Sequence, residues 1–423
     1  MAGESLRAVV LAAGEGVRMI PLTHSISKML LPIAGRPLLE QVLTALKEAG
    51  VTVVTLIVGH RKQDIINHFG DGKALGMQLS YVEQPKQKGT AHALSFANIK
   101  ESFVAVNGDV LFDTASLKEM IDVHKRTGAA ATLAAYRVDD VTAYGALLTD
   151  GKKVLKVVEK PKKRETGLAN AGVYVFSPII FVAIDKTRPS KRGELEITSS
   201  IQGLIDEGQF VQVHELKRWQ HVGVPWDLLS ANELALQRQD HRVKGMVEPG
   251  AVIKGNVWVG EGTRVRSGAY IEGPARMGKN CDIGPNCFIR PFTTIGDRVR
   301  IGNGVEVKNC IVMDGTHIGH LTYVGDSVIG RNCNFGAGTK VGNLRLDERN
   351  VKVEIKGKLV DTGRRKLGAI IADGVKTGLN GIINPGLKLG PNSTLGPGVV
   401  LYKDLAPNKC VLVRQQPEET ACK

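Results

Sequence analysis

Between Ile253 and Val307 an aliphatic residue recurs at every sixth position: Ile253, Val259, Val265, Ile271, Met277, Ile283, Ile289, Ile295, Ile301 and Val307. A helix repeats every ~3.6 residues and an ordinary strand every ~2, so neither explains the spacing, whereas hexapeptide repeats mark a parallel β-helix. Four residues after each ladder residue stands a small or β-branched one: Val257, Thr263, Ala269, Ala275, Cys281, Cys287, Thr293, Val299 and Val305. Two inward positions per hexad fill a narrow prism, and three short strands per coil stack residues that are three hexads apart. The ladder weakens at Ile318, Val324, Ile329 and Phe335, breaks after Val341, and resumes at Ile371, Ile383, Leu389 and Leu401. The break reads as an inserted loop.

Arg290 and Lys308 each directly follow a ladder residue and are eighteen residues apart, so the register stacks them on neighbouring strands. Like charges placed opposite one another are mildly destabilising. Either an anion such as phosphate lies between them, or both long side chains splay into water.

A chain of 423 residues is long enough for two or three domains with proper cores. The net charge of +14 favours anionic partners. Its cations are scattered rather than blocked and no nucleic-acid motif is present, so phosphorylated small molecules are expected rather than nucleic acid or a membrane. None of the six cysteines forms a CxxC pair, and Cys281, Cys287 and Cys333 fall on the small inward position of the hexad. They read as buried core thiols, as suits a reducing cytoplasm. The apolar run AVVLAA is too short for a signal segment or a membrane span, so the mature chain is expected to start where the sequence does.

In the first half, RAVVLAAG from Arg7 reads as a strand entering a glycine-bearing loop, PLLEQVLTALKEAG as an amphipathic helix closed by Gly50, and VTVVTLIVGH as another buried strand. Further strand patterns (QLSYVEQ, SFVAVNGDV, AATLAAYRV, VLKVVEKP, AGVYVFSP) alternate with helices such as TASLKEMIDVHKRTG, which argues for a largely parallel sheet covered on both faces. Open α/β sheets bind ligands beyond the carboxyl ends of their strands, so the turns after Ala13, Asn107 and Val158 are the ones to inspect.

The first turn, LAAGEGVRM, contains Gly14 and Gly16, where backbone N–H groups can approach a phosphate, with Arg18 as a charged clamp. Lys28, in SKMLLPIAGRP, follows closely. The run LAAGxGxR, then K and LPIxGRP, resembles the signature of sugar-1-phosphate nucleotidylyltransferases. That resemblance implies that Arg18 and Lys28 grip a triphosphate and the leaving pyrophosphate. It also implies Gln84, Gly89 and Thr90 of QPKQKGTAHAL near a pyrimidine, and Asp109 of NGDV as a Mg2+ carboxylate. Glu159 and Lys160 of VVEKP, Asn170 of ANAG and the turn Tyr144-Gly145 match the sugar-binding segments.

Three positions depart from the family pattern: Val17 replaces Thr or Ser, Ser27 replaces Pro, and His221 stands where relatives carry Asp or Asn as second metal ligand. Imidazole suits softer ions than Mg2+, so the resemblance leaves a metal site weakened or shifted toward Mn2+ or Co2+. Alternatively, His221 packs at the sheet edge and water completes the metal shell.

Beyond Pro225, WDLLSANELALQRQ reads as a helix, and the ladder follows. The string GHLTYVGDSVIG, with IRPFTTIG, VEVK and RNCNFGAG, resembles the acetyltransferase half of the bifunctional glucosamine-1-phosphate N-acetyltransferase / N-acetylglucosamine-1-phosphate uridylyltransferase family. The resemblance covers nearly all of both halves. It implies an α/β fold, a Rossmann-like mixed, mostly parallel sheet followed by a left-handed parallel β-helix. The implied domains are 1–225, a linker helix over 226–244, and 245–423.

By the same resemblance His320 is the general base, Tyr323 and Asn334 hold the sugar and its amine, Arg290 with Lys308 binds the 1-phosphate, and Asn343 lies on the substrate side. An amine must lose a proton before attacking the acetyl-CoA thioester, and histidine is the suited acceptor. In the interruption 344–366 the position of a family lysine falls on Arg349, with Lys352 nearby. This basic segment either lends cations to coenzyme A phosphates or is a solvated arm. The implied substrates are UTP or dTTP, an amino-sugar 1-phosphate and acetyl-CoA, and the implied assembly is a homotrimer. Two rivals remain: a glucose-1-phosphate nucleotidylyltransferase with a structural β-helix, and a non-catalytic scaffold subunit.

Overall fold

The computed structural model describes residues 6–414 and 419. The expected domain ends at residues 1 and 423, and Cys422, lie outside the described residues. Two compact units are present: one holds the chain up to Gly16, Ser27–Leu31 and Pro37–Val222; the other holds Val17–Ile26, Pro32–Arg36 and the chain from Gly223. Among the described residues no helix is long and apolar enough to cross a membrane.

In the first unit nine strands form one sheet, ordered Gln78–Glu83, Val53–Val58, Arg7–Ala12, Phe103–Asn107, Gly167–Phe176, Ala131–Val138, Val211–Glu215, Lys153–Glu159 and Gly145–Asp150. The first four are parallel, and Gly167–Phe176 runs antiparallel to both its neighbours in that order. Alternation within one strand serves two cores. Ala8 and Val10 join the cluster of Leu39, Leu43 and Leu46, while Val9 joins that of Ile197, Ile201 and Leu204. Helices therefore cover both faces, which is why these strands are apolar almost throughout. Helix Leu38–Glu48 buries Leu39, Val42, Leu43 and Leu46 on one face, and Gly50, at φ +87°, turns the chain out after it. Parallel order brings the ends of Arg7–Ala12, Val53–Val58 and Phe103–Asn107 to one edge.

The second unit is a parallel β-helix with three ladders of eight, nine and eight short strands, the left-handed class that hexads build. Ile271 pairs with Ile289 and Ile289 with Val307, so the hexad positions stack inward. All three are fully buried. The weakening has a simple cause: Ile295 pairs with Val312 and Val307 with Val324, one residue short of a full coil. Val312, not Met313, is therefore the ladder residue that pairs onward with Ile329. At the break, Ile329 pairs with Ile371 and Val341 with Ile383. The segment between is extruded, with Lys352–Ile355 and Lys358–Asp361 forming an antiparallel hairpin. Cys281, Cys287 and Cys333 are buried free thiols, and burial pushes the Cys287 and Cys333 thiols up to about 12.

Helix Asp227–Leu236 is fastened to this unit through the fully buried Asn232. Its Oδ1 accepts from the Ala34 N–H at 2.8 Å and the Thr294 hydroxyl at 2.7 Å, and its Nδ2 donates to the Phe292 carbonyl at 2.9 Å. The Val17–Ile26 segment is held similarly. Asp373 Oδ2 accepts from Ser25 Oγ at 2.8 Å and from Arg331 Nη2 at 2.6 Å, while Arg331 also donates to the Ser25 carbonyl at 3.2 Å.

Candidate functional site

At the carboxyl end of Arg7–Ala12 the chain turns through Gly14, where a Cβ would meet no atom within 4 Å, and Gly16, at φ +67°. Gln87 Nε2 ties the loop after Gln84 to this turn by donating to the Ala13 carbonyl at 2.9 Å. Gln84 is buried; its Nε2 donates to the Gly89 carbonyl at 3.3 Å and pairs with His92 Nδ1 at 2.8 Å. Only glycine fits position 89, since φ is +110° and a Cβ would lie 2.3 Å from the Leu195 carbonyl. Thr90 Oγ1 accepts from the Ile197 N–H at 3.0 Å.

Beside this edge Lys28 Nζ stands 2.5 Å from Asp109 Oδ2, and His221 Nε2 stands 3.6 Å from the same oxygen. Strand Trp219–His221 sets the imidazole by pairing antiparallel with Val110–Phe112. The Val222 N–H then donates to the Asp109 carbonyl at 2.9 Å. Burial works to raise the Asp109 carboxyl, but the Lys28 charge and the His221 imidazole outweigh it and hold the group well below the usual carboxylate range. Among the described residues no group of three or more His, Cys, Asp or Glu is gathered as a metal cage. Asp109 and His221 nevertheless converge as one oxygen and one nitrogen donor. That pair fits a divalent ion completed by water or phosphate.

Gly145, Glu159 and Asn170 come together: a Cβ on Gly145 would lie 3.3 Å from Glu159 Oε2 and 3.5 Å from the Asn170 side chain. Glu159 accepts from Thr198 Oγ1 at 3.1 Å and Arg192 Nη2 at 3.1 Å. Burial and the nearby Glu196 raise its pKa. Asn170 Nδ2 donates to the Tyr174 hydroxyl at 2.8 Å. The Lys160 N–H donates to the Tyr144 carbonyl at 2.9 Å, and the Tyr144 ring stands edge-on to Trp219 and His221 at 5.1 and 5.9 Å. Arg192, Glu196 and Thr198 were not foreseen; they come from a stretch with no motif of its own, RGELEITSS. Arg18 belongs to the second unit, on Val17–Ile26, with Val17 exposed before it. Ser27 is buried as the cap of the turn Lys28–Leu30, its Oγ accepting from the Met29 N–H at 3.4 Å.

On the β-helix, Arg290 and Lys308 do lie one coil apart, and each has its own carboxylate. Arg290 pairs with Glu306 at 2.9 Å and Lys308 with Asp326 at 3.1 Å. Two cations splayed freely into water therefore do not describe them. Tyr323 stacks on Glu306 in the same ladder, and Asn343 Nδ2 donates both to the Tyr323 hydroxyl at 3.1 Å and to Asp326 Oδ2 at 2.5 Å. Burial, with Asp326 and Glu306, raises the Tyr323 phenol. His320 is exposed, and its carbonyl accepts from the Thr322 hydroxyl at 2.8 Å. Its imidazole makes no hydrogen bond among the described residues. Asn334 is exposed on a different ladder from Tyr323, paired with His317 and Lys376. Arg349 is exposed on the approach to the hairpin, its N–H donating to Asp347 at 3.3 Å.

Residues 7–238 match the nucleotidyl transferase family, and residues 271–378 match the GMPPB C-terminal domain. A bifunctional protein GlmU of Methanococcus maripaludis strain C5 is 38% identical over 377 residues, covering 88% of this chain and 89% of that protein. A bifunctional sugar-1-phosphate nucleotidylyltransferase/acetyltransferase of Sulfurisphaera tokodaii is 38% identical, covering 88% and 92%. Among solved structures, a putative glucose-1-phosphate thymidylyltransferase from Bacillus anthracis matches with TM-score 0.51 and 28% identity, over 54% of this chain and 95% of that one. The chain belongs to the nucleotidyl transferase family, in the bifunctional sugar-1-phosphate nucleotidylyltransferase/acetyltransferase group.

Proposed function

We propose that the chain acetylates glucosamine-1-phosphate from acetyl-CoA on its β-helix and then transfers uridylyl from UTP to the N-acetylglucosamine-1-phosphate formed, releasing pyrophosphate. The observation that carries the reading is the hydrogen-bonded group Lys308, Asp326, Asn343 and Tyr323 beside Arg290. A β-helix that served only as a support or a scaffold would have no need of it.

For acetyl transfer, Arg290 and Lys308 bind the sugar phosphate, and Tyr323 and Asn343 orient the sugar. His320 Nε2 or Nδ1 takes a proton from the ammonium, the free amine attacks the thioester carbonyl, and the C–S bond breaks as the proton lost by the acylated nitrogen passes to the departing sulfur, so that coenzyme A leaves as the thiol. Asn334, and Arg349 with its neighbouring cations, serve this site from a second subunit of a homotrimer. For uridylyl transfer, a phosphate oxygen of the sugar attacks the α-phosphorus in line and pyrophosphate departs. Glu159 and Asn170, beside Gly145, hold the sugar. Gln84, whose amide N–H groups are already engaged, offers its carbonyl oxygen to a base N–H, a contact that UTP and dTTP share. Arg18 and Lys28 neutralise phosphate charge. Asp109 with His221 would hold a divalent ion, Mg2+ or more readily Mn2+ or Co2+, which supplies Lewis-acid neutralisation of phosphate oxygens when bound. Expected domain limits at 225 and 245 and a cytoplasmic location complete the proposal.

The test is free-thiol release from acetyl-CoA with glucosamine-1-phosphate, and pyrophosphate release with UTP, on one preparation. Thiol release without pyrophosphate release leaves a single-function acetyltransferase. Pyrophosphate release alone, with galactosamine-1-phosphate also tried, leaves a plain nucleotidylyltransferase.

A further inference from the structure

Asp326 lies in GHLTYVGDSVIG and belongs to the hydrogen-bonded group on the β-helix, yet no step of acetyl transfer uses it directly. Its side chain is 4% exposed. Lys308 Nζ donates to both of its oxygens, at 3.2 and 3.1 Å, Asn309 Nδ2 donates to Oδ1 at 2.9 Å, and Asn343 Nδ2 donates to Oδ2 at 2.5 Å. A carboxylate has about four lone-pair sites, so these bonds fill it and leave nothing for a ligand. Its backbone is fixed as well: its N–H donates to the Lys308 carbonyl at 2.8 Å, and its carbonyl accepts from the Gly368 N–H at 2.8 Å.

An ionised carboxylate only accepts, and that fixes the direction of every bond leading away from it. Asn343 must present its NH2 group to Asp326, and the second amide hydrogen then goes to the Tyr323 oxygen. The Asn343 carbonyl oxygen is therefore the part left for a ligand, as an acceptor. The Tyr323 hydroxyl, already accepting, has its hydrogen left to donate. Asn309 carries the same constraint the other way. Its Nδ2 hydrogens are divided between Asp326 and Glu233 of helix Asp227–Leu236, at 2.9 and 3.0 Å, and its buried Oδ1 has no partner among the described residues.

We infer that Asp326 is the positioning residue of the acetyl-transfer site: it sets the donor and acceptor polarity with which Tyr323 and Asn343 meet the amino sugar, and it aims Lys308. This rests on the acetyl-transfer reading above. An amide at 326 could donate as readily as accept, so the neighbouring amide would be free to turn and the hydroxyl would lose its enforced role.

The experiment measures thiol release and pyrophosphate release in the full-length chain for the wild type, Asp326→Asn, Tyr323→Phe and the double variant. Asp326→Asn is expected to lower acetyl-transfer kcat/KM by about 10²-fold, with pyrophosphate release within about twofold of wild type. The double variant is expected to be no worse than the poorer single, because both substitutions remove one chain of bonds. Asn309→Ala, which removes one of the bonds to Asp326, serves if Asp326→Asn does not fold, and is expected to slow acetyl transfer alone. Unchanged acetyl transfer in Asp326→Asn or in the Asn309→Ala substitute, a parallel fall of both activities, or fully additive losses would overturn the inference beside an active wild type. No thiol release from the wild type overturns the acetyl-transfer reading and this inference with it.

Discussion

Lys28 Nζ lies 2.5 Å from Asp109 Oδ2, and the lysine side chain is 7% exposed. Removing one member leaves the other buried without compensation, so Asp109→Ala is expected to cost about 3 kcal/mol of stability and to abolish pyrophosphate release. Acid unfolding gives a second readout. The folded carboxyl sits below its ordinary value, so the unfolded chain takes up the proton first. The contribution is complete above about pH 4 and is lost as pH falls further. Urea titrations between pH 6 and acid should therefore show a shallower acid limb for Asp109→Asn than for wild type.

His221 shares that oxygen at 3.6 Å. If it binds metal with Asp109, Mn2+ or Co2+ supports faster pyrophosphate release than Mg2+, and His221→Asp shifts the preference toward Mg2+. A metal titration in which Mg2+ is already the best ion for wild type would leave His221 as a packing residue.

Gly89 has a backbone that other residues rarely adopt, and a carbonyl 2.3 Å from where a Cβ would stand. Gly89→Ala is expected to destabilise by at least about 2 kcal/mol, read by thermal melting. An unchanged melting temperature would mean that the Gln84–Thr90 loop is free to move away from Leu195.

Much of this was legible because short-range chemistry dictated it. The hexads could be read from Ile253 to Val307 since each buries one aliphatic residue at a fixed spacing, and glycine turns after parallel strands advertise phosphate sites. The one-residue shortening that makes Val312 the ladder residue was not legible, because a coil corner tolerates a deletion without any change in residue type. The same slip hid Asp326. Its bonds to Asn309 and Asn343 join corners seventeen residues apart, a spacing that the hexad count does not stack. Arg192, Glu196 and Thr198 reach Glu159 only through the packing of helix Ile197–Asp206 against strand Lys153–Glu159, and no local pattern announces that.

Asp373 joins Ser25 and Arg331 in one group. Asp373→Ala takes away the acceptor of both, so the Val17–Ile26 segment should loosen from the β-helix. Limited trypsin digestion is expected to cut after Arg18 several-fold faster than in wild type. Equal digestion rates would show that the remaining contacts of the segment suffice.

The exposed imidazole of His320 gives the last prediction, because exposure separates chemistry from folding. An exposed side chain without hydrogen bonds adds little to stability, so His320→Ala should melt within about 0.5 kcal/mol of wild type. A general base contributes roughly 10²–10⁴-fold to a rate, so thiol release should fall by that factor while pyrophosphate release holds. A His320→Ala protein that keeps both its fold and its thiol release would move the proton acceptor elsewhere, to bulk water or to another side chain of the acetyl-transfer site.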